Sequence, residues 1–252
     1  MRIDLGEEGK TRLYNYCRQI KEIICSDNID HLVSGGNSGI AMSEIALMVF
    51  DLLDKPRPKL LNVPFFRYLP GMLEIEENRF DYSYYSGQIQ AYVATIEKAG
   101  KVLFVDDEIC QGNTALGIFT LLEQALTEKR LKSIETYYIV AEDQGFNIPT
   151  GYDNIIFMPF TKEIAGYNNL IFAFISSEYE RPLIKYFGDD EQLAFHLRAN
   201  LLLNLPVKEY NSGSPVFTDK LLVEANDNVP NFLLLQKAFL EYLRVEISNA
   251  IT

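Results

Sequence analysis

Through its first 140 residues the chain alternates short, continuously apolar runs with segments of helical period. The runs are Asp30-His-Leu-Val-Ser34, Lys59 to Val63, Lys101-Val-Leu-Phe-Val105 and Ser133 to Val140. A strand with one wet face alternates apolar and polar residues. Runs apolar at both parities bury both faces, as in a parallel sheet covered by helices on each side. The intervening segments supply those helices. Leu13, Tyr16/Cys17, Ile20 and Ile23/Ile24 space a helix over about 8–26, and Ile45, Leu47/Met48 and Leu52 space another over about 40–53, which Pro56 and Pro58 stop. Two more are predicted over 87–99, closed by Gly100, and 114–128. The expected fold class is α/β, a doubly wound parallel sheet.

Beyond residue 140 the pattern changes. Two short strands, about 154–158 and 170–175, joined by a loop, read as a small hood over about 141–176. Residues 190–203 and 231–248 are predicted amphipathic helices around a stretch rich in Asn, Ser, Pro and Asp. The expected organisation is therefore a core with hood over 1–176 and a helical C-terminal appendage over 177–252. At 252 residues, one large domain or a core with an appendage fits. The residues are 48% apolar and 23% charged, which is ordinary globular composition.

Charge and cysteine usage narrow the partners. The 23 Lys and Arg face 35 Asp and Glu, a formal net charge of −12 that opposes binding to a nucleic-acid backbone. No apolar run approaches the roughly 18 residues of a membrane span, so neither nucleic acid nor membrane is an expected partner. Cys17, Cys25 and Cys110 are an odd, scattered set that encodes neither a disulfide framework nor a zinc site. With the acidic, polar start MRIDLGEEGK, they point to a reducing, cytoplasmic protein. His31 begins a strand and His196 sits within a helix, packed or surface positions rather than catalytic ones.

Chemistry concentrates in Lys-Val-Leu-Phe-Val-Asp-Asp-Glu-Ile-Cys-Gln-Gly-Asn-Thr-Ala, residues 101–115. A buried strand ends in two carboxylates, Asp106 and Asp107; a loop with Gly112 follows, then a helix opened by Asn113 or Thr114. In an open parallel sheet, ligands bind beyond the carboxyl ends of the strands. A tight loop entering a helix N-terminus offers unpaired N–H groups and partial positive charge, which suits a phosphate monoester, with the Thr114 hydroxyl as a further donor. The carboxylates can accept hydrogen bonds from sugar hydroxyls or face a magnesium ion. Together these features imply a ligand bearing both a polyol and a phosphate, such as a ribose 5-phosphate group.

The segment resembles the phosphoribosyl pyrophosphate signature of type I phosphoribosyltransferases: apolar residues, two acidic residues, two variable positions and a Thr/Gly-rich loop. The resemblance implies that Asp106 and Asp107 contact the ribose hydroxyls while Cys110, Gln111, Gly112, Asn113 and Thr114 wrap the 5′-phosphate. Glu108 and Gln111 depart from the common form, and the pattern is similar to phosphoribosyltransferase-like proteins found with bacterial tellurite-resistance and stress operons. A second match is Ser34-Gly35-Gly36-Asn37-Ser38-Gly39, about 70 residues earlier, where the family places its pyrophosphate-binding loop. Alone, that segment reads equally as a tight turn. The long aperiodic stretch at 64–86 matches a mobile loop that closes over the reacting groups, which places Arg67 on pyrophosphate and lets Arg79 reach in. Tyr82, Tyr84 and Tyr85 would stack on a base or cover that loop.

A looser match to the hood of hypoxanthine-type enzymes sets Phe146 and Ile148 beside the acceptor base, with Tyr167 to Leu170 nearby. Glu142 and Asp143 stand near the position of a usual lysine. They accept hydrogen bonds rather than donate them, which disfavours a 6-oxopurine and suits an acceptor bearing amino groups. The resemblance thus implies a magnesium-dependent glycosyltransferase of nucleotide metabolism. It would take phosphoribosyl pyrophosphate and an unassigned nitrogen acceptor, with Asp106, Asp107 and Arg67 at the reacting centre and Mg2+ bound mainly through the substrate. A non-catalytic sensor of the same ligand is the alternative. A response-regulator receiver shares the Val-Leu-Phe-Val-Asp-Asp-Glu strand, but Phe157 stands where its acceptor Asp belongs. The C-terminal segment could form a homodimer, cap the hood or dock a partner.

Overall fold

Each continuously apolar run is a strand in the computed structural model, which describes residues 5–64, 82–162, 196–211 and 214–252. The strands β1 (His31–Gly35), β2 (Lys59–Val63), β3 (Lys101–Ile109) and β4 (Thr136–Asp143) are joined by β5 (Ile155–Phe157) and the two-residue β6 (Thr161–Lys162). They lie in the order β2-β1-β3-β4-β5, all parallel, with β6 pairing the far end of β4. From β1 the chain steps outward to β2, then crosses back to β3 on the other side. The direction of winding therefore reverses between β1 and β3.

Alternate residues of each strand go to opposite cores. Leu32, Leu103, Val105, Tyr138 and Val140 pack against α1 (Gly6–Ser26) and α2 (Gly36–Leu52). Val33, Val102, Phe104, Tyr137 and Ile139 pack against α3 (Tyr82–Ala94) and α4 (Asn113–Glu128). Helices thus cover both faces of the sheet. Inside α1, Leu13, Tyr16, Cys17, Ile20 and Ile24 repeat at three- and four-residue spacing, which puts one stripe on the sheet. Phe119 stacks on Tyr137 at 4.1 Å and meets Phe104 edge-on at 5.6 Å, filling the opposite side.

Three boundaries differ from expectation. Helix α2 starts at Gly36, not near residue 40, so Ser34–Gly39 is a strand end running directly into a helical turn rather than a loop. Strand β3 continues four residues past Val105, because pairing to buried β4 supplies partners for its polar end. Helix α3 opens at Tyr82 rather than at 87 and ends at Ala94. Tyr85 is buried in the second core and contacts Tyr84 edge-on at 5.6 Å, so these two rings pack within the fold. Arg67 and Arg79, the expected strand at 170–175 and Tyr167 to Leu170 lie outside the described residues.

The C-terminal part is not a helical appendage. It contains α5 (His196–Leu202), an antiparallel hairpin of β7 (Val207–Asn211) and β8 (Ser214–Thr218), then α6 (Lys220–Asn228) and α7 (Phe232–Ile251). Phe239, Leu243 and Ile247 of α7 share the core of α1 and α2. Around that contact, the Tyr14 hydroxyl donates to Glu246 at 2.6 Å and the Tyr242 hydroxyl accepts from the Leu5 N–H at 3.2 Å. Among the described residues no helix is long and apolar enough to cross a membrane.

Candidate functional site at the switch between β1 and β3

Parallel neighbours β1 and β3 end side by side, and α2 and α4 begin at their carboxyl ends. Gly36 opens α2 at φ +70° and Gly112 precedes α4 at φ +71°, left-handed values that favour glycine. Neither helix start carries a side-chain cap. First-turn amides are therefore left for water or a ligand, and both dipoles point their positive ends at the crevice.

The acidic pair is placed by a β-bulge. From Val105 to Glu108 strand β3 advances three residues while its partner advances two, from Val140 to Glu142. One extra residue breaks the alternation that would send Asp106 and Asp107 to opposite faces. Asp107 is buried, and its charge acts on the Asp106 carboxyl. Asp106 Oδ1 also accepts from the Ser38 hydroxyl at 3.0 Å and from the Asp107 N–H at 3.0 Å. Burial, and then the adjacent Asp107 charge, hold the Asp106 carboxyl well above the usual range. Burial and a neighbouring carboxylate both disfavour the charged form, so Asp106 holds its proton more tightly than an exposed carboxyl does.

The remaining predicted residues divide. Ser38 joins the acidic pair, whereas Ser34 is fully buried and donates to Asn62 Oδ1 inside the sheet. Gly35 is a buried strand residue, and Gly39 packs on Ser34 so tightly that a Cβ there would lie 3.0 Å from the serine Cβ. Asn37 faces the C-terminal segment, its Oδ1 accepting from the Lys208 N–H at 2.7 Å and the Asn200 amide at 3.4 Å. Ser34, Gly35, Gly39 and Asn37 are thus committed within the fold, because the strand runs straight into the helix and leaves no open loop. In the second segment Cys110 and Gln111 are exposed, Asn113 donates to Gln111 Oε1 at 3.0 Å, and Thr114 is half-buried.

Phe146 does not line an open base pocket. It is buried against Phe157, edge-on at 5.2 Å, and lies under the loop, where a Cβ on Gly112 would come within 2.2 Å of its ring. Ile148 is 40% exposed. Asp143 Oδ1 accepts from the Gly145 and Phe146 N–H groups at 2.9 and 3.0 Å, closing its own turn. Glu142 meets Arg12 of α1 at 2.5 Å in an ion pair whose side chains are each 4% exposed. Both acids expected to read an acceptor's amino groups are committed within the fold.

Sequence reasoning missed Arg12. It also bonds Glu8 at 2.9 Å, and its Nε is buried without a partner. A cation beside Leu13 and Tyr16 on the apolar stripe, with an acid four residues before it, was the available signal. Burial raises the Glu142 carboxyl to about 7; Arg12 pulls it down, and Asp107 and Glu108 push it up. Two surface hollows, of about 690 and 650 Å³, lie elsewhere, one beside α4 and Tyr152 and one at the amino ends of the strands.

Among the described residues no group of three or more His, Cys, Asp or Glu side chains could hold a metal ion. The acidic pair still offers hard oxygen ligands, the one or two carboxylates that Mg2+ uses when phosphates complete its shell. No family model and no curated protein matches the chain. Among solved structures it is similar to a hypothetical protein from Neisseria gonorrhoeae with bound ppGpp. That likeness has 12% identity, covers 63% of this chain and 80% of the other, and has a TM-score of 0.35, too distant to carry an argument.

Proposed function

We propose that the crevice between β1 and β3 binds phosphoribosyl pyrophosphate and that the protein is a phosphoribosyltransferase acting on a nitrogen acceptor. Asp106 and Asp107 grip the ribose diol, residues 110–114 enclose the 5′-phosphate, and the start of α2 faces the pyrophosphate. The observation that carries this reading is the Ser38–Asp106 hydrogen bond at 3.0 Å. It joins the first turn of one uncapped helix to the acidic pair, at the point of an open sheet where ligands bind. Carboxylates beneath a ribose favour the cationic character that develops at its anomeric carbon as pyrophosphate leaves. Mg2+ held by the substrate phosphates and the acidic pair would supply the charge that an acidic protein lacks.

Calorimetric titration with phosphoribosyl pyrophosphate and Mg2+ tests the site. Asp107→Asn and Thr114→Val should each weaken binding by at least about tenfold, or about 1.4 kcal/mol. If both variants bind like the parent, the assignment is wrong.

A sensor without turnover is the second reading, favoured by Asn37, whose hydrogen bond ties the first turn of α2 to Lys208. Pyrophosphate release across a panel of nitrogen acceptors separates the two. Release with any acceptor supports the transferase, and tight binding without release supports the sensor.

A further inference from the structure

Strand β4 leaves the sheet in a turn that passes beneath the loop between β3 and α4. Asp143 closes this turn with its own carboxylate, and Gly145 takes φ +94° within it. The Gln144 N–H donates to the Ile109 carbonyl at 2.9 Å, which ties the turn to the last residue of β3, just before the loop. Phe146 follows. It is 6% exposed, meets Phe157 of β5 edge-on, and shares its core with Ile109 and Ala115, the residues that flank the loop. Gly112 sits over the ring so closely that a Cβ there would lie 2.2 Å from Cε2 and 2.8 Å from Cδ2. The Gly112 carbonyl in turn accepts from the Leu116 N–H at 2.9 Å, a bond that opens α4. One ring thus supports the point at which the loop becomes a helix.

We infer that Phe146 is a positioning residue for the 5′-phosphate, holding the 110–114 loop so that its N–H groups converge; this rests on the phosphate site proposed above. A phenyl ring has no charge and no hydrogen bond to give an anion, so it acts only through the loop that it carries. A cradle of backbone N–H groups binds phosphate well when it is ordered beforehand, because a loose loop must give up its freedom on binding. The start of α4 has no side-chain cap, so packing on Phe146 takes the place of a capping hydrogen bond in fixing the turn. The start of α2, where pyrophosphate is proposed to lie, is held by other partners: Asn37 accepts the Lys208 N–H and Ser38 donates to Asp106. The two anion positions should therefore respond differently to a change at Phe146.

Calorimetric titration of the full chain with ribose 5-phosphate, and separately with magnesium pyrophosphate, tests it. Phe146→Leu should raise the dissociation constant for ribose 5-phosphate at least about tenfold and leave that for magnesium pyrophosphate unchanged. Gly112→Ala keeps the ring but drives a Cβ into it, and should give the same selective loss. The double variant should lose no more than the worse of the two single variants, because both changes disturb one contact. A purely structural role would weaken both probes together or neither, and either result overturns the inference while leaving the proposed site standing. Losses that add in the double variant would overturn it too. A parent that does not bind ribose 5-phosphate overturns the proposed site itself, and this inference with it.

Discussion

Asp106 and Glu142 are both acids that hold their protons more tightly in the fold than in the open chain. Burial is the main cause in each, with the Asp107 charge adding to Asp106 and Glu142 reaching about 7. Between the ordinary carboxylate range near about 4 and these raised values, the folded protein binds more protons than the unfolded chain. The stability they contribute is fully present below that ordinary range and is lost as pH rises through the folded values. His31 acts with the opposite sign, since burial lowers its pKa and its contribution grows as pH rises toward its ordinary value. Comparing the parent with Asp106→Asn cancels the histidine. The urea midpoint of the parent, relative to that variant, should fall as pH rises above the ordinary carboxylate range. A difference that does not change with pH would mean that Asp106 titrates as an ordinary carboxylate. The sequence showed two adjacent acids but not the burial that raises Asp106.

At the scale of elements, the Asn37 side chain ties the β7–β8 hairpin to the first turn of α2. Asn37 sits in the first turn of α2 and accepts the Lys208 N–H, while Val207 beside it is buried in the core. Removing that acceptor loses a hydrogen bond worth about 1 kcal/mol. Asn37→Ala should therefore speed hydrogen exchange at the Lys208 amide by about tenfold, with amides in α4 unchanged. Unaltered exchange at Lys208 would mean that the hairpin is held by its other contacts. The partner of Asn37 lies 171 residues along the chain, so no local pattern around Ser34–Gly39 could have revealed it. By contrast, strand β3, its loop and α4 are neighbours in sequence, and their order was readable from residues 101–115.

For the whole molecule, the decisive contact is α7 on α1, which makes the two ends of the chain one core. Phe239 is fully buried there, and Phe239→Ala should cost about 3–5 kcal/mol. That loss should appear in a single cooperative transition that also reports on the sheet, read by urea denaturation with near- and far-UV signals together. An independent appendage would instead leave the transition of residues 1–162 unmoved. The amphipathic period of 231–248 was correctly read as helical, yet period alone cannot say which surface a stripe covers.

What the residues settled on their own was local: strands apolar at both parities, helices between them, and an acidic pair leading into a glycine turn and a helix. Each follows from side-chain spacing within a few turns of chain. Tertiary structure alone decided which of these features meet. The winding reversal between β1 and β3 carries Ser38 to Asp106, a bulge gathers the two carboxyl groups, Arg12 claims Glu142, and Phe146 slides beneath Gly112. Those pairings join residues far apart in the chain, and burial, not neighbourhood in sequence, determines them.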